Sequence, residues 1–466
     1  MNGAGGDGRG RAAGAAACTS PATADLTAWR VALGELDRDV SDAERIDQLR
    51  ALEELKSAAA AAQARIAVDL EASQRAEQAA AGVPAGERGK GIGAQVALAR
   101  RESPHRGGRL LGLATALVRE MPHTYAALRA GVISEWRATL LVRESACLSL
   151  ADRTSFDAEL AADPAALERL GDKQLVAHAK QVAYRLDAVS IVRRAARAEA
   201  ERCVSLRPAP DTMSYLTGLL PVAQGVAVLA ALQQAADAAR AQGDARTRGQ
   251  VMADTLVERV TGRAAAEGPP VEVQLVITDR ALLDGDGEPA HLPGYGTVAA
   301  GWVRSLIGEL LRRDVDGACR VWLRRLFTSP TTGQLVQMDS RRRQVPAGLA
   351  RFIDTRDQSC RTPWCDAPVR HRDHVVPHAE GGPTSAENLQ GYCEACNYTK
   401  QAPGWQTRTA PRDGPDGHVV QLTTPTGHRY ESRAPALPGH GSGPPPPQEE
   451  PRESVAERAF ARFLAA

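Results

Sequence analysis

The sequence lacks an excess of either charge: 57 Lys and Arg stand against 56 Asp and Glu, a formal net charge of +1. Such a balance gives no global attraction to DNA or anionic membrane, so any grip on nucleic acid has to come from local clusters. Long apolar runs are missing too; none approaches the roughly 18 residues of a bilayer span, which excludes a helical membrane protein. Met1 to Ser20 has no Leu/Val-rich core, so it does not resemble a secretory signal, and a cytoplasmic protein is expected. Lysine is scarce beside arginine, a bias of coding rather than chemistry, and Arg richness alone therefore carries no weight. What is present is ample core material. Hydrophobic residues make up 43% and charged residues 24% of 466 residues, which excludes collagen-like and fully disordered chains and predicts two to four domains.

Along the chain, residues 1–24 form a Gly/Ala-rich leader expected to be disordered, and 25–265 a helical domain. Ser41 and Glu44 have the spacing of a capping box ahead of an Ala/Leu/Glu/Arg stretch reaching about Gln78. Further helices are expected at 92–101, 109–119, 134–144, 172–185, 192–201 and 222–240. Their apolar residues recur every three or four positions, as at Leu110, Leu113, Ala114 and Leu117. Composition shifts near Pro269, and 266–350 is predicted as an α+β connecting region. Strands are expected at 271–277, 321–327 and 335–338, with a helix at 298–311. Pro346 opens a helix to about Arg356. A compact module follows at 351–405, then a β-hairpin at 406–434 and a Pro/Gly-rich tail at 435–466 with a short helix near 454–464.

Cysteine is unevenly spread. Cys18, Cys147, Cys203 and Cys319 are scattered, whereas Cys360, Cys365, Cys393 and Cys396 share 37 residues, where an even spread would place fewer than one. In a reducing compartment, two such knuckles set four thiolates tetrahedrally around Zn²⁺. A module this small buries too little surface to stand alone, and structural zinc supplies roughly 10–16 kcal/mol of apparent stabilisation. Four thiolates leave no open position, so this zinc is structural.

Between the knuckles runs Arg372-Asp373-His374-Val375-Val376-Pro377. A Gly381-Gly382 turn and Asn388-Leu389 follow, and then Cys-Glu-Ala-Cys-Asn-Tyr-Thr-Lys at 393–400. This segment, about Cys360 to Lys400, resembles the HNH (ββα-metal) nucleases. With the helical and mixed segments read upstream, the expected fold is a mainly α N-terminal region with a small α+β segment, followed by what the resemblance implies is a zinc-stapled ββα-metal module. It also implies hydrolysis of DNA phosphodiester bonds. His374 would be the general base, a role its near-neutral pKa suits. Asp373 would hold a divalent cation, Asn388 would orient the loop carrying the base, and Asn397 would be the second metal ligand. The position of Asn397 is often His in that family. An amide oxygen favours Mg²⁺ or Mn²⁺ over softer metals, and the change leaves a catalytically weakened DNA-binding protein as the alternative. His371 and His378 read as polar surface residues.

The module itself carries six basic side chains against seven acids at 351–400, a poor phosphate trap. The upstream segment is richer, and Arg341, Arg342 and Arg343 are the expected grip on the DNA backbone. Residues of about 25–340 also resemble the helical domains that precede HNH modules in the actinobacterial 13E12 repeat family. The segments that carry this are 101–106, 131–136 and 207–213, and they imply no activity for the domain. Gly86 to Gly91 lacks the spacing of a phosphate loop and reads as a linker; Asp284 to Gly287 reads as a turn. A double-strand cut would call for a homodimer, through the helical region or the Phe460/Phe463 tail. A third reading makes the helical region an interaction scaffold.

Overall fold

The computed structural model describes residues 22–262, 275–278, 280–293, 295–313, 339–340, 345–410 and 418–438. Ten helices come first: α1 (Thr23–Gly34), α2 (Asp42–Ala80), α3 (Ile92–Arg100), α4 (Pro104–Glu120), α5 (Pro122–Arg129), α6 (Glu135–Ser145), α7 (Leu150–Ala161), α8 (Pro164–Glu168), α9 (Asp172–Leu186) and α10 (Ala188–Ala200). A hairpin of β1 (Cys203–Pro208) and β2 (Ser214–Leu219) leads into α11 (Val222–Ala241) and α12 (Arg248–Thr261). The connecting region has β3 (Ala290–Leu292), β4 (Gly296–Val298), α13 (Ala300–Arg313) and β5 (Asp339–Ser340). The C-terminal part has α14 (Ala347–Asp357), β6 (His371–His374), β7 (Thr384–Ser385), β8 (Leu389–Tyr392), α15 (Glu394–Lys400), β9 (Gln406–Thr409), β10 (Val419–Thr423) and β11 (Arg429–Arg433). No helix among the described residues is long and apolar enough to cross a membrane.

Local chemistry explains where the helices begin. Ser41, Ser103, Ser134 and Ser149 each accept the amide three residues on, satisfying donors that a helix start leaves open. The first turn of α5 is capped from outside. Buried Asp157 on α7 accepts from the His123 and Thr124 amides and from Thr124 Oγ1. The main core gathers Leu117, Met121, Leu128, Ile133, Leu141, Phe156 and Leu175 from α4, α5, α6, α7 and α9, with Ala60 and Ala61 of α2. Crossing α3 and α4 nearly touch, and a Cβ on Gly107 would lie 2.3 Å from the Gly93 carbonyl.

Two elements depart from expectation. The stretch expected to be mostly helical contains the β1–β2 hairpin, closed around Ala209 to Met213 and exposed on both faces. The C-terminal hairpin acquires a third strand, giving the antiparallel order β11-β10-β9. The strands expected at 321–327 and 335–338, the Arg341–Arg343 cluster and the 454–464 helix lie outside the described residues, as does most of the 271–277 strand.

The cysteine module does not hang free of the helical domain. Ala94 and Leu98 of α3 share one core with Ala402, Trp405 and Leu422. The Gly86–Gly91 linker packs into the joint, where a Cβ on Gly91 (φ +83°) would fall 2.5 Å from Trp405 Nε1. Thr426 donates to Gln95 Oε1 at 3.0 Å across the same seam.

Candidate active site

The site is a hairpin held between two helices. β6 and β8 pair antiparallel, His371 with Tyr392, Arg372 with Gly391, Asp373 with Gln390 and His374 with Leu389. Side chains alternate across a strand, so the hairpin has two distinct faces. One meets α14: Leu389 packs with Leu349 and Ile353, and the Gly391 amide donates to Asp357 Oδ2 at 2.7 Å. The other meets α15 and the cysteines, where Tyr392 is buried among the four sulfurs.

Asp357 anchors the α14 side. Its carboxylate is fully buried with the guanidiniums of Arg356 (Nε to Oδ1, 2.7 Å) and Arg361 (Nη1 to Oδ1, 3.3 Å). Burial pushes this carboxyl up, but the charges and hydrogen bonds of the two arginines outweigh it and hold it below the ordinary range. Arg356 also donates to the carbonyls of Ala386 and Leu389, and Arg361 to those of His418 and Ser432. These two arginines, counted from sequence among the basic side chains of the module, are therefore internal braces. Arg372 pairs with Asp354 and Lys400 with Asp373, which leaves Arg351 and Arg370 as the exposed bases of that window without such a partner among the described residues.

The four sulfurs of Cys360, Cys365, Cys393 and Cys396 are buried and lie within 4.8 Å of one another. Cys365 Sγ is 3.7 Å from the sulfurs of both Cys393 and Cys396. Hydrogen bonds from Cys360 and Cys396 pull the Cys365 thiol down to about 4, while hydrogen bonds with Cys360 and Cys365 push the Cys396 thiol up. Sulfurs this close suppress one another's ionisation unless a cation joins them. The donor set thus fits a metal ion.

Asp373 and His374 sit side by side at the end of β6 on opposite faces. His374 Nε2 is 2.8 Å from Thr384 Oγ1, and its ring lies edge-on to His378 with centroids 5.7 Å apart. Asn388 clamps the intervening loop: Oδ1 accepts from the Val376 amide, and Nδ2 donates to the Val376 and Pro383 carbonyls. Lys400 Nζ donates to Asp373 Oδ2 at 2.5 Å and to the His374 carbonyl. One turn earlier on the same helical face, Asn397 holds a buried Oδ1 with no hydrogen-bond partner among the described residues. An orphaned buried amide oxygen is a donor of the kind that a hard cation takes. The side chains of Asp373 and Asn397 both offer oxygens of that kind.

Sequence reasoning missed Thr384, the partner of His374, and gave Lys400 no place beyond its charge. Its spacing of three from Asn397 was the available signal, since those positions share a helix face.

A ββα hairpin beside a four-sulfur cluster, with Asp and His at the strand end, is the architecture of the ββα-metal nuclease class. Comparison with known proteins agrees. Residues 360–402 match the family described as HNH endonuclease, and residues 46–357 match a domain of unknown function, DUF222. The second match spans more than half of the chain, and the protein belongs to this DUF222 family, with an HNH endonuclease domain following. Among relatives, uncharacterized protein Rv3776 of Mycobacterium tuberculosis is 31% identical over 181 residues, 38% of this chain and 32% of that protein. Uncharacterized protein Rv2100 of the same organism is 38% identical over 87 residues, 18% of this chain and 15% of that protein. The matched regions thus span a third or less of these relatives. No solved structure matches.

Proposed function

We propose that the protein is a metal-dependent endonuclease that hydrolyses DNA phosphodiester bonds at the β6–α15 face. The observation that carries this is the occurrence together, inside a segment matching HNH endonucleases, of His374 held on Thr384 and a buried Asn397 Oδ1 with no hydrogen-bond partner among the described residues. When Nε2 donates to Thr384 Oγ1, the lone pair of the neutral imidazole resides on Nδ1, which would take the proton of the attacking water. Asn388 fixes the loop so that the ring keeps one orientation. Mg²⁺ or Mn²⁺ held by Asp373 and Asn397 would neutralise charge on the phosphate and on the leaving oxygen. Zn²⁺ on the four cysteines would keep the hairpin in shape without touching the chemistry. Arg341, Arg342 and Arg343 would grip the backbone, and replacing all three with Ala should flatten the salt dependence of DNA affinity.

The test is incubation of supercoiled plasmid with the protein and Mg²⁺ or Mn²⁺, beside His374→Ala. Cleavage that the variant lacks supports the reading; equal cleavage by both refutes the role of His374. One contact favours a second reading, a DNA-binding protein with weakened chemistry: the Lys400 ammonium already sits on the Asp373 carboxylate. Gel retardation without cleavage in either metal would select it.

A further inference from the structure

Gln390 is in the middle of β8, directly opposite Asp373, and is fully buried. Its strand neighbours Leu389 and Gly391 are committed to the α14 side, while Tyr392, two residues on, faces the sulfurs. Alternation therefore turns the Gln390 side chain to the face shared by Asp373 and α15. Both heteroatoms of its amide, Oε1 and Nε2, are buried without a hydrogen-bond partner among the described residues. A wholly enclosed strand position is normally filled by an apolar side chain, because an unpaired buried amide forfeits its hydration with nothing in return. Gln390 lies across the strand pair from Asp373, and Asn397 lies one turn before Lys400, which holds Asp373; each carries a buried amide oxygen with no partner among the described residues. Hydrogen bonding among the described residues answers neither oxygen, and a shared hard cation would answer both.

We propose that Gln390 supplies a third protein oxygen, through its side-chain carbonyl, to the divalent cation at Asp373 and Asn397. The inference rests on the metal-dependent reading above and adds a ligand to it. Carbonyl and carboxylate oxygens are the donors that Mg²⁺ and Mn²⁺ prefer. Lys400 does not block the arrangement: it engages Oδ2 of Asp373, and a carboxylate has about four lone-pair sites. The ammonium would then balance the carboxylate in the metal-free protein and share it in the loaded one.

Calorimetric titration of the full-length, zinc-loaded protein with Mn²⁺ tests this without reference to turnover. Gln390→Leu should weaken Mn²⁺ binding by about 10- to 100-fold, the range seen when a supporting group of a metal site is removed. The same variant should unfold at a higher temperature than the parent when Mn²⁺ is absent, because two stranded polar atoms are gone. Gln390→Glu, which keeps an oxygen in place, should bind at least as tightly as the parent. Unchanged affinity in Gln390→Leu beside lost binding in Asp373→Ala would overturn the role of Gln390 and leave the nuclease reading standing. Binding indifferent to both replacements, or absent from the parent, would overturn the metal site and the inference with it. If Gln390→Leu failed to retain zinc, Gln390→Glu would decide, since loss of Mn²⁺ binding there is equally fatal.

Discussion

Asp357→Asn isolates the interaction on which the α14 side of the hairpin depends. The substitution keeps the size of the side chain and removes only its charge. In the parent, the carboxylate accepts from Arg356 twice, from Arg361 and from the Gly391 amide, and the side chains of all three ionic residues are at most 3% exposed. Asparagine retains one accepting oxygen but turns an NH₂ group toward the Arg356 guanidinium together with either Arg361 or the Gly391 amide. Two guanidiniums are then left inside the module with no anion. Breaking a buried pair in this way costs about 3–5 kcal/mol, because the surviving charge keeps its desolvation penalty. The loss should be local, since Arg356 and Arg361 otherwise bind carbonyls of Ala386, Leu389, His418 and Ser432. A chain of several domains does not unfold in one step, so hydrogen exchange resolved by peptide is the suitable measurement. Amides of β8 should lose protection by two or more orders of magnitude, while the α4–α9 core keeps its own. Protection of β8 within threefold of the parent would refute the argument, because it would mean that water already solvates these arginines.

Three further outcomes follow from the same geometry. Removing the metal with a chelator, or replacing Cys365 with Ser, should melt β6, β8 and α15 together, because the cluster around Tyr392 is the core of that layer; exchange in the α2–α9 region should be unchanged. Burial, with the Arg356 and Arg361 charges nearby, pushes the His418 imidazole down to about 3, against Asp357 and the Glu387 carbonyl, which favour the charged form. The folded protein therefore binds this proton less readily than the unfolded chain. Stability due to His418 is complete above pH ~6.5 and is lost at up to about 1.4 kcal/mol per unit as pH falls toward the folded value. Urea unfolding of the C-terminal module from pH 7 to pH 5 should show this slope, and His418→Gln should lack it. Gly382→Ala would drive a Cβ to 1.9 Å from the Val376 carbonyl and 2.7 Å from Asn388 Nδ2, displacing the loop that Asn388 clamps. It should cost about 1–3 kcal/mol and reduce plasmid cleavage with zinc content unchanged.

What could be read from the chain and what could not divides along sequence separation. The knuckles, the Asp-His pair and the Asn-Leu pair fall within one short segment, so the resemblance to HNH nucleases that they carry placed them on a hairpin and the helix that follows. The Ser41 cap was legible for the same reason, because a cap and its amide are three residues apart. The bracing arginines were not. Nothing local distinguishes Arg356, which is buried against Leu389 33 residues away, from Arg351, which is exposed one helical turn earlier. The joint between the domains is further still from view, since Gly91 and Trp405, which meet there, are more than 300 residues apart in sequence. The β1–β2 hairpin did have a local signal: Val204 and Leu206 alternate ahead of Pro208-Ala209-Pro210-Asp211, but the helical pattern on both sides outweighed it. The same division explains Gln390. As a letter in Asn-Leu-Gln-Gly-Tyr it is an ordinary polar residue of a strand. Only the register with Asp373 and its complete burial turn it into an amide left unsatisfied among the described residues.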